Sequence, residues 1–325
     1  MSLTIKDIRK PIAAELDIFE KKFRASMSTQ VPLLNKIMHY IVQRKGKQMR
    51  PMFVYFAAKL MGGITEKTHR GAALVELLHT ATLIHDDVVD DAYERRGFFS
   101  VNALWKNKIA VLVGDYLFSR GMLLSVENGD FELLKIVSRA VKEMSEGELL
   151  QMERSRRLNL DEEIYYKIIR QKTASLISSA CSIGCASITD DKEAQKLVWD
   201  IGEKIGIAFQ IRDDLFDFGA DTKIGKPTGI DIKEKKLTLP LIYAIEHASK
   251  KDRKHLINTI KKHHNNKKKV KEVIDYVWES GGIEYATKAM ESYRAEAMEL
   301  LQQFPQNEGR KGLEELLWFT TERKR

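Results

Sequence analysis

Four acids stand close together in Leu83-Ile84-His85-Asp86-Asp87-Val88-Val89-Asp90-Asp91, inside an apolar run that begins near Ala72. A helix turns by ~100° per residue, so Asp86 and Asp90 share a face one turn apart. Asp87 and Asp91 repeat that spacing on the next face. Like charges at this spacing destabilise a helix. A hard divalent cation removes the repulsion, because Mg²⁺ takes one or two carboxylates and completes its sphere with substrate phosphates and water. A solvated acidic helix end accounts equally well for one such cluster alone.

A second cluster changes the balance. Phe209-Gln210-Ile211-Arg212-Asp213-Asp214-Leu215-Phe216-Asp217 again has two adjacent acids and a third, with Asp213 and Asp217 on one face. It too is embedded in apolar sequence. Buried carboxylates must be paired or bind metal. Two DDxxD segments on two facing helices would form jaws around divalent ions, and the ions would hold a polyanion, most naturally a diphosphate. Diphosphates also attract Lys and Arg. Lys47 and Arg50 lie at a helix start, Arg95 and Arg96 follow the first cluster, and Lys172-Thr173 sits mid-helix among apolar residues. Lys226, Lys235 and Lys236 follow the second cluster. Any one of these is an ordinary surface cation when read alone; their placement beside both clusters carries the joint interpretation.

The elements that must position these groups are helices. Helical periodicity dominates, alternating strands are hard to find, and no proline falls between Pro51 and Pro227. The pattern predicts an all-α protein of a dozen or so helices, at about 4–27, 32–43, 51–60, 66–91, 107–126, 130–157, 161–188 and 191–219. Further helices are predicted at about 238–248, 251–264, 268–280, 282–303 and 308–322. Gly46 to Arg50 reads as a basic loop, with Pro51 opening the next helix, and Tyr93 to Gly97 as another loop. Gly, Pro and Thr make 220–237 a loop and a lid candidate. No linker composition or repeat appears, so residues 1–325 are expected to form one domain.

Bulk properties exclude several classes. The chain has 325 residues, 43% hydrophobic and 31% charged, as in soluble globular proteins. Ile109 to Leu124 is interrupted by Asp115 and Arg120, and reads as a buried helix rather than a membrane span. The start MSLTIKDIRK lacks an apolar signal core, which predicts a cytoplasmic protein. Cys181 and Cys185 have no neighbouring ligands in sequence to complete a zinc set, and read as buried thiols. The net charge is +8. Arg253 to Lys271 holds eight Lys/Arg and no acid, which matches that excess. No aromatic residues interleave with those charges, which argues against nucleic acid; transient contact with an anionic membrane surface suits them better.

The motifs together resemble the trans-isoprenyl diphosphate synthases, or polyprenyl synthetases, from about Lys45 to the C-terminus. The match covers Gly46-Lys47-Gln48-Met49-Arg50-Pro51, then His79 to Asp90, and Arg95-Arg96-Gly97. It continues through Gly114-Asp115-Tyr116, Gly147-Glu148-Leu149-Leu150-Gln151, Lys172-Thr173, Phe209 to Asp214, and Gly225-Lys226. The resemblance implies an all-α fold around a deep central cavity, usually a homodimer, that lengthens a prenyl chain with Mg²⁺, three ions per site. It implies Asp86, Asp90 and Asp213 as Mg²⁺ ligands, with Asp87, Asp214 and Asp217 in or beside the coordination sphere. It assigns Lys47, Arg50, His79 and Arg96 to isopentenyl diphosphate. It assigns Arg95, Lys172, Thr173, Gln210, Lys226 and Lys236 to the allylic diphosphate. One departure is visible: the family often has Gly-Lys before Thr-Leu-Pro, where this chain has Lys235-Lys236. Which of the two faces the site stays open.

In this family, aromatic residues four or five positions before the first Asp stop the growing chain early. Those positions here are Thr82 and Ala81, both small. The tail would run back past Leu78 and Leu77 toward Leu74, ~18 Å from Asp86 at ~1.5 Å per residue. The expected product is hexaprenyl to decaprenyl, with octaprenyl favoured over the shorter farnesyl or geranylgeranyl products. A class I terpene cyclase needs no isopentenyl diphosphate site, so Lys47, Arg50, His79 and Arg96 argue against it. A non-catalytic subunit is the other alternative; such a chain is free to lose one acidic set, and both are present here.

Overall fold

The structure is a computed structural model and describes residues 4–43, 46–95, 97–158, 161–219 and 228–322. Helix is the dominant structure, as the periodicity predicts. Two compact units are distinguished: residues 1–139, 179–199 and 304–313 in one, and residues 140–178, 200–303 and 314–325 in the other.

The first unit is built around the helix Glu66–Val89. Thr65 caps it, accepting from the Thr68 N–H, and its apolar residues are buried nearly all round rather than on one stripe. One core cluster joins Leu77, Ala81 and Ile84 of this helix to Met27, Ile37 and Met38, and to Ala110, Val113 and Leu117 of the helix Val101–Glu127. Glycines set the spacing between these two helices. A Cβ on Gly121 would lie 3.2 Å from Leu78 Cδ2, and one on Gly114 would lie 2.1 Å from His85 Nε2. The Gly114-Asp115 pair is therefore a packing requirement of the helix that carries the first acidic cluster.

The second unit holds the helices Glu162–Ile169, Leu239–Glu246, Lys250–Lys262, Lys267–Glu279 and Gly282–Gln302. Its core joins Tyr165 and Ile169 to Ile211, Leu215 and Phe218, and to Leu241, Ile260, Val273 and Met290.

Several elements depart from the sequence expectation. The helix expected to open at Pro51 begins at Met49. Pro51 stands in its first turn, where no intrahelical donor is required. The first acidic helix ends at Val89, with Asp90 as its C-cap. Asp91 turns to φ +48°, so the expected Asp87–Asp91 face is lost. Tyr93 to Gly97 is more than a loop: Glu94–Arg95 pairs antiparallel with Phe98–Phe99. The helix predicted from 107 has a preceding turn from Val101, broken at Lys106, where φ is +73°. That helix is also less buried than its composition suggests. Leu112 and Leu123 are exposed, although Ala110, Val113 and Leu117 enter the core. By length and composition it passes as a membrane span, yet its inward face belongs to the packed cluster just described. The helix expected over 161–188 contains a π-turn at Arg170–Ala174. The lid candidate falls largely on 220–227, outside the described residues; its far end forms the short helix Ile230–Lys233.

Candidate active site

Both acidic clusters close long helices, Glu66–Val89 and Lys192–Asp217, and neither helix has a basic residue in its last turn. A helix C-terminus carries the negative end of the macrodipole, where cations are favoured and carboxylates are not. The sequence therefore stacks acids where the backbone already repels them. In the first cluster, Asp87 is buried, Asp86 half-buried and Asp90 exposed. The Asp90 N–H donates to the Asp86 carbonyl at 2.8 Å, which keeps the two acids one turn apart despite the helix end. Asn102 Nδ2 donates to the Asp87 carbonyl at 3.1 Å and secures the turn that follows. The donors offered here are carboxylate oxygens, the hard set that Mg²⁺ prefers. No group of three His, Cys, Asp or Glu able to hold a metal ion is found among the described residues. That suits an ion whose remaining ligands come from substrate phosphate.

The second cluster is held differently. Asp214 is buried, and its two oxygens are taken by separate donors: Tyr165 Oη at 2.7 Å and Gln210 Nε2 at 2.9 Å. Burial pushes its carboxyl well up, the nearby Asp231 adds to this, and the two hydrogen bonds oppose it. Gln210 Oε1 in turn accepts from Thr173 Oγ1 at 2.7 Å. Asp217 is also buried. Its oxygens accept the backbone N–H of Ile230 at 2.8 Å and of Asp231 at 3.0 Å, and its carbonyl accepts the Gly229 N–H at 2.9 Å. The last acid of the second cluster thus anchors the far end of the 220–237 segment. Gly229 is required there twice over: φ is +77°, and a Cβ would lie 2.6 Å from Val270 Cγ1.

Lys172 and Thr173 occupy the π-turn, a helix form that recurs at functional sites. Lys172 Nζ donates to Gln151 Oε1 at 2.8 Å and pairs with Glu148. Glu148 and Gln151 are three apart on one helix, so the Gly147 to Gln151 motif is the lysine's cradle. A Cβ on Gly147 would lie 3.0 Å from the Lys172 nitrogen, and one on Gly206 would lie 2.4 Å from Ala174 Cα. Glycines on two helices therefore admit the π-turn.

The other expected residues fall as follows. Lys47 is exposed in the loop before Met49, and Arg50 is half-buried in the first turn of that helix. His79 is buried two turns before the first cluster. Arg95 lies in the strand Glu94–Arg95. Arg96 and Lys226 lie outside the described residues. Lys235 has φ +57°, the left-handed region that glycine adopts without cost. The position where the family has glycine thus keeps a glycine-like backbone, and Lys236 keeps the register of the family's lysine. Lys236 Nζ lies 2.6 Å from Glu234 Oε2. Ala81 is fully buried in the first unit's core, Leu78 is buried beside Gly121, and Thr82 is half-buried, with its hydroxyl donating to the His79 carbonyl. Sequence reasoning assigned no role to Tyr165, Asn102, Glu148 or Gln151. Only the three-residue spacing of the last two gave a signal.

The polyprenyl synthetase family model matches residues 31–277. Octaprenyl diphosphate synthase of Escherichia coli is 35% identical over 92% of this chain and 93% of its own length. A short chain isoprenyl diphosphate synthase of Methanothermobacter thermautotrophicus is also 35% identical, over 94% of this chain and 96% of its own. The crystal structure of a polyprenyl synthase from Caulobacter crescentus, complexed with calcium and isoprenyl diphosphate, superposes with a TM-score of 0.90. It is 33% identical, and the likeness covers 99% of both chains. The chain belongs to the polyprenyl synthetase family and is a prenyltransferase of the trans-polyprenyl diphosphate synthase class.

Proposed function

We propose that this protein adds isopentenyl diphosphate units head-to-tail to an allylic diphosphate, with Mg²⁺, and releases an all-trans hexaprenyl to decaprenyl diphosphate, octaprenyl above all. The observation that carries the proposal is the placement of both acidic clusters at dipole-disfavoured helix ends in a chain matched by this family. Asp86, Asp90 and Asp213 would hold Mg²⁺, three ions per site. When bound, the ions supply charge stabilisation for departing pyrophosphate. Lys172, Thr173, Gln210, Arg95, Lys226 and Lys236 hold the allylic diphosphate. Lys47, Arg50, His79 and Arg96 hold isopentenyl diphosphate. The allylic C1–O bond breaks, a carbon–carbon bond forms to the isopentenyl double bond, and a proton leaves to the pyrophosphate. No protein nucleophile is needed. Water must be excluded to protect the cation, and the 220–237 segment, anchored through Asp217, is suited to that task.

Product length rests on Ala81 and Thr82, which leave the path beyond Asp86 open, and on Leu78 further back. Val113 and Leu117, clustered with Ala81, are additional candidates for the stop. The short-chain relative, equal in identity to the octaprenyl enzyme, makes a shorter product the second possibility. In this proposal the two compact units serve one synthase domain in the cytoplasm. A homodimer would cover the apolar residues Val111, Leu112, Met122 and Leu123, all exposed here, and the basic 253–271 segment would touch an anionic membrane during product release.

The test is incorporation of radiolabelled isopentenyl diphosphate with geranyl, farnesyl and geranylgeranyl primers, with products resolved by chromatography. A labelled ladder ending near octaprenyl, abolished by EDTA, is expected. An unlabelled cyclised product, or activity only after a second chain is added, overturns the proposal.

A further inference from the structure

The hydrogen bonds of the second unit form a directed chain. Tyr165 Oη has one proton, and it lies 2.7 Å from Asp214 Oδ2. Gln210 Nε2 donates to Asp214 Oδ1 at 2.9 Å, which turns Gln210 Oε1 toward Thr173 Oγ1 at 2.7 Å. An amide can sit either way round on packing alone; here the carboxylate selects one way, because it accepts and cannot donate when ionised. The carboxylate in turn has few ways to rotate, because Tyr165 holds its second oxygen. Tyr165 is 3% exposed and packs edge-on against Tyr166, with ring centroids 5.4 Å apart. Its place is fixed by the core, not by the site.

We propose that Tyr165 is a positioning residue for the allylic diphosphate site, setting the orientation of Gln210 and Thr173 through Asp214. The inference rests on the proposed role of Thr173 and Gln210 in holding that diphosphate. Asp214, though part of the DDxxD pattern, then works as a bracket between the core and the substrate clamp. Bidentate-like restraint of this kind matters because an oxygen clamp displaced by even 1 Å loses much of its rate advantage.

Tyr165→Phe keeps the ring and removes one hydroxyl. The variant is expected to raise KM for the allylic primer about tenfold, the scale of one hydrogen bond to a charged group. KM for isopentenyl diphosphate should stay within about twofold, since its proposed ligands lie outside this chain of bonds. A merely structural role would shift both KM values together, with a fall in Tm. The cycle with Thr173→Ala separates the inference from the reading beneath it. If Thr173→Ala raises the allylic KM and Tyr165→Phe adds little to it, the coupling runs through this path. If Thr173→Ala raises the allylic KM and Tyr165→Phe alone does not, the inference is overturned. If Thr173→Ala leaves that KM unchanged, the assignment of Thr173 to the diphosphate is what fails, and the inference falls with it.

Discussion

The two acidic clusters look interchangeable as strings, and their surroundings are not alike. Asp86 and Asp90 stand at an open helix end, half-buried and exposed, with Asp91 turned away at φ +48°. Asp214 and Asp217 are buried and already occupied, one by Tyr165 and Gln210, the other by two backbone N–H groups. The same five-residue pattern therefore offers two oxygen ligands at one helix end. At the other it divides its acids between a clamp bracket, a loop anchor and Asp213. A DDxxD motif is thus not one device used twice. What the acids share is the unfavourable end of a helix dipole; what they do is set by the donors packed around them.

The sharpest way to break this contrast is to remove each acid in turn. Asp86→Asn and Asp213→Asn should each lower kcat/KM by about 10²–10³-fold, the usual cost of one electrostatic stabiliser. Asp217→Asn should cost nearer tenfold, the scale of a lost charge-assisted hydrogen bond, together with faster amide hydrogen exchange over Ile230–Lys233. Equal losses at Asp213 and Asp217 in steady-state assays would erase the distinction. On the first cluster's helix, Ala81→Phe should shorten the product sharply on chromatography. It should also destabilise the fold by about 1–3 kcal/mol, because Ala81 has no spare room. An unchanged product ladder would refute the tail path along that helix. Next to the second cluster's loop, Lys235→Gly should raise the urea midpoint by an amount worth about 0.5–1 kcal/mol, since φ +57° suits glycine. The smallest effect is expected at Asp90. Asp90→Asn should stabilise the metal-free protein by about 0.3–1 kcal/mol by easing repulsion at the helix end, while lowering activity. A destabilised variant would mean that the acid already has a compensating partner in the resting protein.

Much of this was legible in the chain. Helix periodicity placed Pro32–Gln43 to the residue and most other helices to within a few, because the apolar faces of packed helices repeat every turn. Breaks in that regularity escaped. The π-turn at Arg170–Ala174 carries no sequence mark of its own; it depends on Gly147 and Gly206, distant in sequence, leaving room beside it. The turn at Asp91 escaped for a similar reason: Asn102 and the following strands hold it, and neither is local. Lys235 shows the reverse case. The family comparison flagged a residue out of pattern, and the backbone angle explains why glycine is usual there.

The sequence by itself determined the helical fold, the two acidic clusters, the basic residues near them and the class of chemistry they serve. Each of these follows from residue type and short-range spacing, which local physics reads directly. Tertiary structure alone decided which acids remain exposed and which are bracketed. It also decided that Glu148 and Gln151 cradle Lys172, and that Tyr165 reaches Asp214. Those pairings join residues 21 to 49 positions apart. A hydrogen bond acts over about 3 Å, so only the packed chain can choose its partners.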